Sequence, residues 1–170
     1  NRRMTIRVDG RGSTQDIYYP TVGLHSSIRP AEGDVPQSRS HFRAILGGLA
    51  LGSRINWFNE RAVWDVFQNY QGATNLLRTE LSAKTGQIRV VATDFAAMGG
   101  NLPRTADDRI CDSQYLKRYR IINSGAAPFD SLFGVYVHAE VNGGLGETGL
   151  SWEDADRALI ASNRGHGHTN

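Results

Sequence analysis

The chain has 170 residues, 39% of them hydrophobic and 21% charged, and carries a formal net charge of +2. That is enough apolar material for the core of one ordinary domain, and it excludes a chain disordered by composition. Seventeen of the 19 basic residues are arginines dispersed along the sequence, unlike the concentrated stripe of a nucleic-acid binder, and no apolar run approaches the roughly 20 residues that cross a bilayer.

The opening "NRRMTIRV" already has the pattern of a strand. Next comes "DIYYPTVGLHSS" (16–27), in which Ile17-Tyr18-Tyr19 is strand-like and Pro20 stops it. The residues after Pro20 read either as a plain surface loop or, together with Tyr19, as a loop that offers Tyr19, Thr21, His25, Ser26 and Ser27 to a sugar. Aromatic faces suit C–H patches, and short polar groups suit hydroxyls. Composition alone does not choose between the two. The stretch "RPAEGDVPQSRSH" (29–41) is long and polar.

"HFRAILGGLALG" (41–52) is apolar enough for a buried strand, and Gly47-Gly48 disfavours a helix. In "ERAVWDVFQNY" (60–70), Val63, Trp64, Phe67 and Tyr70 suit a helix turn, and a strand pair almost equally. "NLLRTELSAKTGQIRVVATDF" reads as a hairpin, with strands at 75–83 and 87–95 around Lys84-Thr85-Gly86. "YLKRYRIIN" (115–123) alternates Tyr115, Lys117, Tyr119 and Ile121 against Leu116, Arg118, Arg120 and Ile122, and an Asn-Ser-Gly run ends it in a turn.

Residues 133–141 alternate most cleanly. Phe133, Val135, Val137, Ala139 and Val141 form the expected buried stripe; Gly134, Tyr136, His138 and Glu140 form the wet face. "SWEDADRAL" has an N-cap candidate in Ser151 and acids in a possible first helical turn, or it is a loop leading to a strand at 157–162. Many short strands with Gly and Asn punctuation predict an all-β antiparallel sandwich, read as one domain over residues 1–170.

Motifs that carry chemistry are absent. There is no G-x-S-x-G elbow, P-loop or dinucleotide fingerprint, and "NGGLGETG" (142–149) follows a strand with no helix after it. No cofactor is expected. His166 and His168 could clip a metal but lack further ligands, so no metal site is expected either. Glycoside chemistry needs two carboxylates about 5 to 10 Å apart. Asp16, Asp94, Glu140 and Asp156 are not paired by any sequence feature, and each reads as a turn cap, ion pair or interface group. No catalytic residue is assigned. The single Cys111 cannot form an internal disulfide and suits a reducing, cytoplasmic setting, and no signal peptide is visible. The strand-like start and the polar "SNRGHGHTN" end suggest a piece of a larger assembly.

The order of motifs adds a resemblance. "VDGRGSTQDIYYPTVG" resembles the opening of the N-terminal β-domain of bacterial and archaeal glucoamylases, glycoside hydrolase family 15. "INWFNERAVWDVFQNYQGATNLLRTELSAKTGQIRVVATDFAAM" and "YLKRYRIINSGAAPFDSLFGVYVHAEVNG" are similar to that family's later strands. The resemblance implies a large antiparallel sandwich packed beside an (α/α)6 catalytic barrel on another chain or segment. The two catalytic glutamates of an inverting α-glucoside hydrolase would then lie outside this chain. It also implies that the loop after "YYP" nears the active-site mouth, so that Tyr19, Thr21, His25 and Ser26 would face an α-glucoside or oligosaccharide. No nucleic-acid or membrane partner is expected. Hydrolase and phosphorylase relatives are not separated by these residues, and the rival readings are a non-catalytic carbohydrate-binding module or a structural β-protein.

Overall fold

The computed structural model describes residues 4–18, 42–98, 113–139 and 148–163. Among them are eleven strands and no helix: β1 (Thr5–Val8), β2 (Thr14–Tyr18), β3 (Phe42–Leu51), β4 (Arg54–Trp57), β5 (Trp64–Tyr70), β6 (Leu77–Ala83), β7 (Ile88–Met98), β8 (Ser113–Asn123), β9 (Phe133–Ala139), β10 (Thr148–Glu153) and β11 (Ala158–Asn163). The fold is therefore all-β and antiparallel, as the alternating sequence predicts.

One sheet runs β1-β2-β3-β4, with β9 also paired to β3; the second runs β5-β6-β7-β8; β10 and β11 form a separate hairpin. The first two sheets face each other in a sandwich-like arrangement. Phe58 meets Trp64 edge-on at 5.3 Å and Tyr119 at 5.6 Å, tying the β4–β5 connection and the second sheet together. Around these rings lie Leu49, Leu81, Ala83, Ile88 and Val90, all buried. They are alternate residues of their strands, so each strand sends one set of side chains into the same space. Gly47 makes the approach possible: a Cβ there would lie 2.7 Å from the Phe58 ring and 2.9 Å from Tyr119.

The β6–β7 hairpin forms where it is expected, with Gly86 at φ 84° in its turn, a conformation that glycine adopts without strain. The 60–70 stretch resolves as a turn followed by β5. Trp64 pairs with Ala83 and Tyr70 with Leu77, a ladder that satisfies backbone groups a lone helical turn would leave open. The helix option at Ser151 does not occur. Instead β10 and β11 close around a turn at residues 154–157, where Arg157 takes φ 51° and the Trp152 indole donates to Asp154. The acids that suggested a first helical turn are turn residues.

The buried stripe on residues 133–141 is corrected. Ala139 is buried and Val137 half-buried, but Phe133 and Val135 stay 42% and 49% exposed. Phe133 does face the second sheet, 5.1 Å from Tyr119 and 6.4 Å from Phe58. Among the described residues β9 pairs with β3 alone, so the stripe lies at the margin of the sandwich, where the opposing sheet covers it incompletely. Val141 and Glu140 lie outside the described residues.

Candidate functional site

The residues proposed to face a sugar, Tyr19, Thr21, His25 and Ser26, lie outside the described residues, as do the 29–41 stretch, Cys111, His166 and His168. β2 ends at Tyr18, immediately before them. The register shows what is gathered at that end of the sandwich. Tyr18 pairs with Thr5, and Thr14 with Ile45. Ala139, the last residue of β9, pairs with Phe42, the first of β3. On the opposing sheet, Met98 pairs with Ser113. The Thr14 hydroxyl touches Tyr115, which places these strand ends on the same side of the core.

Behind those strand ends sits a buried polar cluster. Asp94 points inward from β7, in line with Ile88, Val90 and Ala92; Tyr115, Lys117 and Tyr119 point inward from β8 beside it. Asp94 is 3% exposed and the Lys117 side chain 7%. The Lys117 ammonium donates to Asp94 Oδ1 at 2.6 Å and to the Gly12 carbonyl at 2.6 Å, so one cation joins the two sheets. It also lies 5.5 Å from the centre of the Tyr119 ring. The Tyr115 hydroxyl donates to the same Asp94 oxygen and stands 2.6 Å from Thr14 Oγ1. Asp94 Oδ2 is buried and receives no hydrogen bond.

The β1–β2 turn is fastened to this cluster. Asp9 Oδ1 accepts from the Arg11 and Ser13 backbone amides, both at 2.9 Å, which fixes the turn. The Gln68 amide donates to the Asp9 carbonyl at 2.9 Å and to Thr79 Oγ1 at 2.8 Å, and Arg11 donates to the Trp64 carbonyl at 2.8 Å.

Protonation follows from this setting. Burial raises the Tyr115 pKa well above that of a free phenol, and the Asp94 charge adds to it. Tyr119 moves the same way for the same two reasons. Burial lowers the Lys117 pKa, and the adjacent Asp94 works against the shift. Tyr115 is thus a neutral donor to a carboxylate. Lys117, held by two acceptors and enclosed, is an anchor and not a nucleophile.

A cleft of about 160 Å³ opens beside the cluster. Tyr70, Leu77, Ile6 and Val8 give it aromatic and aliphatic walls, while Asn75, Asp94 and Tyr115 give it polar ones. The Asn75 amide donates to the Ala96 carbonyl at 3.1 Å, which leaves its own carbonyl oxygen as an acceptor at the rim. Among the described residues no group of three or more His, Cys, Asp or Glu could hold a metal ion, and no helix is long and apolar enough to cross a membrane.

Of the four carboxylates weighed from sequence, Asp94 pairs with Lys117 and Asp16 with Arg7 of the neighbouring strand, both as ion pairs. Asp156 sits exposed in the β10–β11 turn and Glu140 lies outside the described residues. Sequence reasoning missed the partnership of Lys117 with Asp94. The signal was a lysine, one of only two in the chain, set within the alternation Tyr115, Lys117, Tyr119, Ile121. A buried lysine needs an acid, and Asp94 occupies the matching face of the preceding strand.

The aromatic residues of the opposite surface form a second feature. Trp57 and Tyr136 meet edge-on at 6.3 Å on the outer face of the first sheet. A Cβ at Gly48 would lie 2.8 Å from Trp57, so the indole rests directly on the β3 backbone.

Comparison with family models, with curated proteins and with solved structures returned no significant match.

Proposed function

We propose that this chain is the β-sandwich part of a family-15-like α-glucoside hydrolase, braced against an (α/α)6 barrel that carries the catalytic glutamates and walling part of the saccharide site. The observation that supports the reading most is positional. β2 ends at Tyr18, one residue before Tyr19 in the sequence, and Ile6 of its partner strand β1 lines the cleft. The antiparallel two-sheet fold is also what the order of sequence motifs implies.

The experiment is isolation of the native assembly followed by mass spectrometry and an assay for glucose release from maltooligosaccharides. The reading predicts an (α/α)6 barrel with paired glutamates, on the same polypeptide or on a partner, and hydrolysis only when it is present. Within that assembly, His25→Ala should weaken saccharide binding or turnover by about 0.5 to 3 kcal/mol while leaving the melting temperature unchanged. An assembly without a barrel, or a His25→Ala variant that loses stability and keeps its kinetics, would overturn the reading.

The second reading is a non-catalytic carbohydrate-binding module, and the pair of half-buried Trp57 and exposed Tyr136 favours it. Aromatic rings on an outer sheet face can stack on the C–H face of a sugar. If this reading holds, Trp57→Ala abolishes binding to insoluble polysaccharide; in the leading one it does not.

A further inference from the structure

We propose that the β10–β11 hairpin of one copy of this chain seats on the outer face of the β5-β6-β7-β8 sheet of a second copy. The hairpin is the first observation. Leu150 pairs with Ala161 and Trp152 with Leu159, so these four side chains share one side of it. Leu150, Trp152 and Leu159 are all exposed, Trp152 by 58%. Among the described residues neither strand pairs with another sheet, and two strands alone are at best marginally stable in water. An exposed apolar side on such an element marks a contact surface.

The second observation is the receiving face. Ile88, Val90, Ala92 and Asp94 point inward from β7, so Arg89, Val91 and Thr93 lie on its outer side. The register places Arg78 and Arg118 on either side of Thr93, and Arg120 beside Val91. Arginines scattered through the sequence are thereby gathered on one face. Glu80, on the same face, bonds Arg78 at 2.8 Å and Arg89 at 3.5 Å. Arg118 and Arg120 are exposed and have no ion-pair partner among the described residues. Phe67 pairs with Glu80, which puts its ring on this face, 62% exposed.

The two surfaces match in charge and in apolar content. The hairpin turn carries Glu153, Asp154 and Asp156 against Arg157 alone. The receiving face carries four arginines around Glu80, with Asp65 at its edge 4.0 Å from Lys84. Opposite charges steer the pair together and fix how it docks, while Leu150, Trp152 and Leu159 cover Phe67 and the arginine stems. Within one chain both surfaces are exposed, so the contact lies between copies. Two different patches meet, and such a contact either closes into a ring, a dimer being the smallest, or runs on as a filament. None of this rests on the functional reading above.

The test is sedimentation velocity of the 170-residue chain at a series of concentrations up to about 100 µM, a range that detects micromolar self-association. The chain should self-associate in about 50 mM salt, and at least tenfold more weakly in about 500 mM, because the pairing charges are exposed. Arg118→Glu with Arg120→Glu should give a monomer, as should Glu153→Lys with Asp156→Lys. Mixing these two variant chains should restore one-to-one association, since each reversed hairpin then finds a reversed face and each native hairpin a native one. The mixture guards against misfolding, because chains that fail to fold are not rescued by each other. Trp152→Ser should weaken association at least tenfold with the β circular-dichroism signal unchanged.

Four results overturn the proposal: a monomer at every concentration in low salt, association that survives both charge reversals, no association when the two variants are mixed, or aggregation indifferent to salt and to Trp152→Ser. A monomer that is held on a heparin column through Arg118 and Arg120 would assign the face to an acidic partner of another kind, and it too would overturn the contact between copies.

Discussion

The space between the two main sheets is filled by opposite means at its two ends. Toward the β6–β7 turn it is apolar, with Trp64, Phe58, Leu81, Ile88 and Val90 closing on one another. Toward the ends of β2, β7 and β9 it is polar, with Lys117, Asp94, Tyr115, Thr14 and Gly12 in one bonded chain. The apolar end gains from burial without regard to direction. The polar end gains little net energy but demands one geometry, since a carboxylate and an ammonium taken out of water must find each other. Stability and placement are thus divided along the molecule, and the placed end is the one beside the cleft.

Either end can be disrupted on its own. Trp64→Ala should cost about 3 to 5 kcal/mol, because a large side chain is lost from a closed space, read as a lower urea midpoint. Asp94→Ala should cost a similar amount, about 3 to 5 kcal/mol, by leaving the Lys117 charge without its partner. The ends then part company. Replacing both partners with apolar residues, Asp94→Leu with Lys117→Met, should restore most of the loss at the polar end, whereas no second substitution of that kind exists for Trp64.

Two smaller effects mark the contrast further. Gly47→Ala should destabilise by about 1 to 3 kcal/mol, since its methyl group would meet the Phe58 and Tyr119 rings inside contact distance. Arg54→Ala breaks only the exposed 2.9 Å pair with Glu60 and should change stability by less than about 1 kcal/mol.

Alkaline pH reads the polar end specifically. Tyr115 and Tyr119 keep their protons in the fold above pH 10, where the unfolded chain gives them up; their contribution is full below about 10 and is lost as pH rises beyond it. Lys117 acts oppositely. Its pKa is lowered in the fold, so the unfolded chain holds that proton longer, and its contribution grows as pH climbs toward 10.5. Two losses oppose one gain, so chemical-denaturation stability should fall above pH 10. The Tyr115→Phe variant should fall less steeply.

Much of the fold was legible because its strands alternate. The 84–86 turn, the β8 pattern and the Gly47-Gly48 strand were each written in a few adjacent residues. The 60–70 stretch was not, since Val63, Trp64, Phe67 and Tyr70 suit either period and only pairing with β6 decides. Ser151 and its acids imitated a helix start because caps and turns use the same residues. The β9 stripe was right in direction and wrong in depth, because a strand's pattern gives its inner face and not how far the opposing sheet reaches. The candidate site was the least legible part. Asp94 and Lys117 stand 23 residues apart, and only the register of β7 on β8 brings them opposite each other.

The claim that the apolar end supplies stability while the polar end fixes geometry is tested most directly by a double-mutant cycle on Asp94 and Lys117. The account predicts that Asp94→Leu combined with Lys117→Met lies within about 1 kcal/mol of the parent chain in urea unfolding, while Asp94→Leu alone loses about 3 kcal/mol or more. A double variant as unstable as Asp94→Leu alone would contradict it.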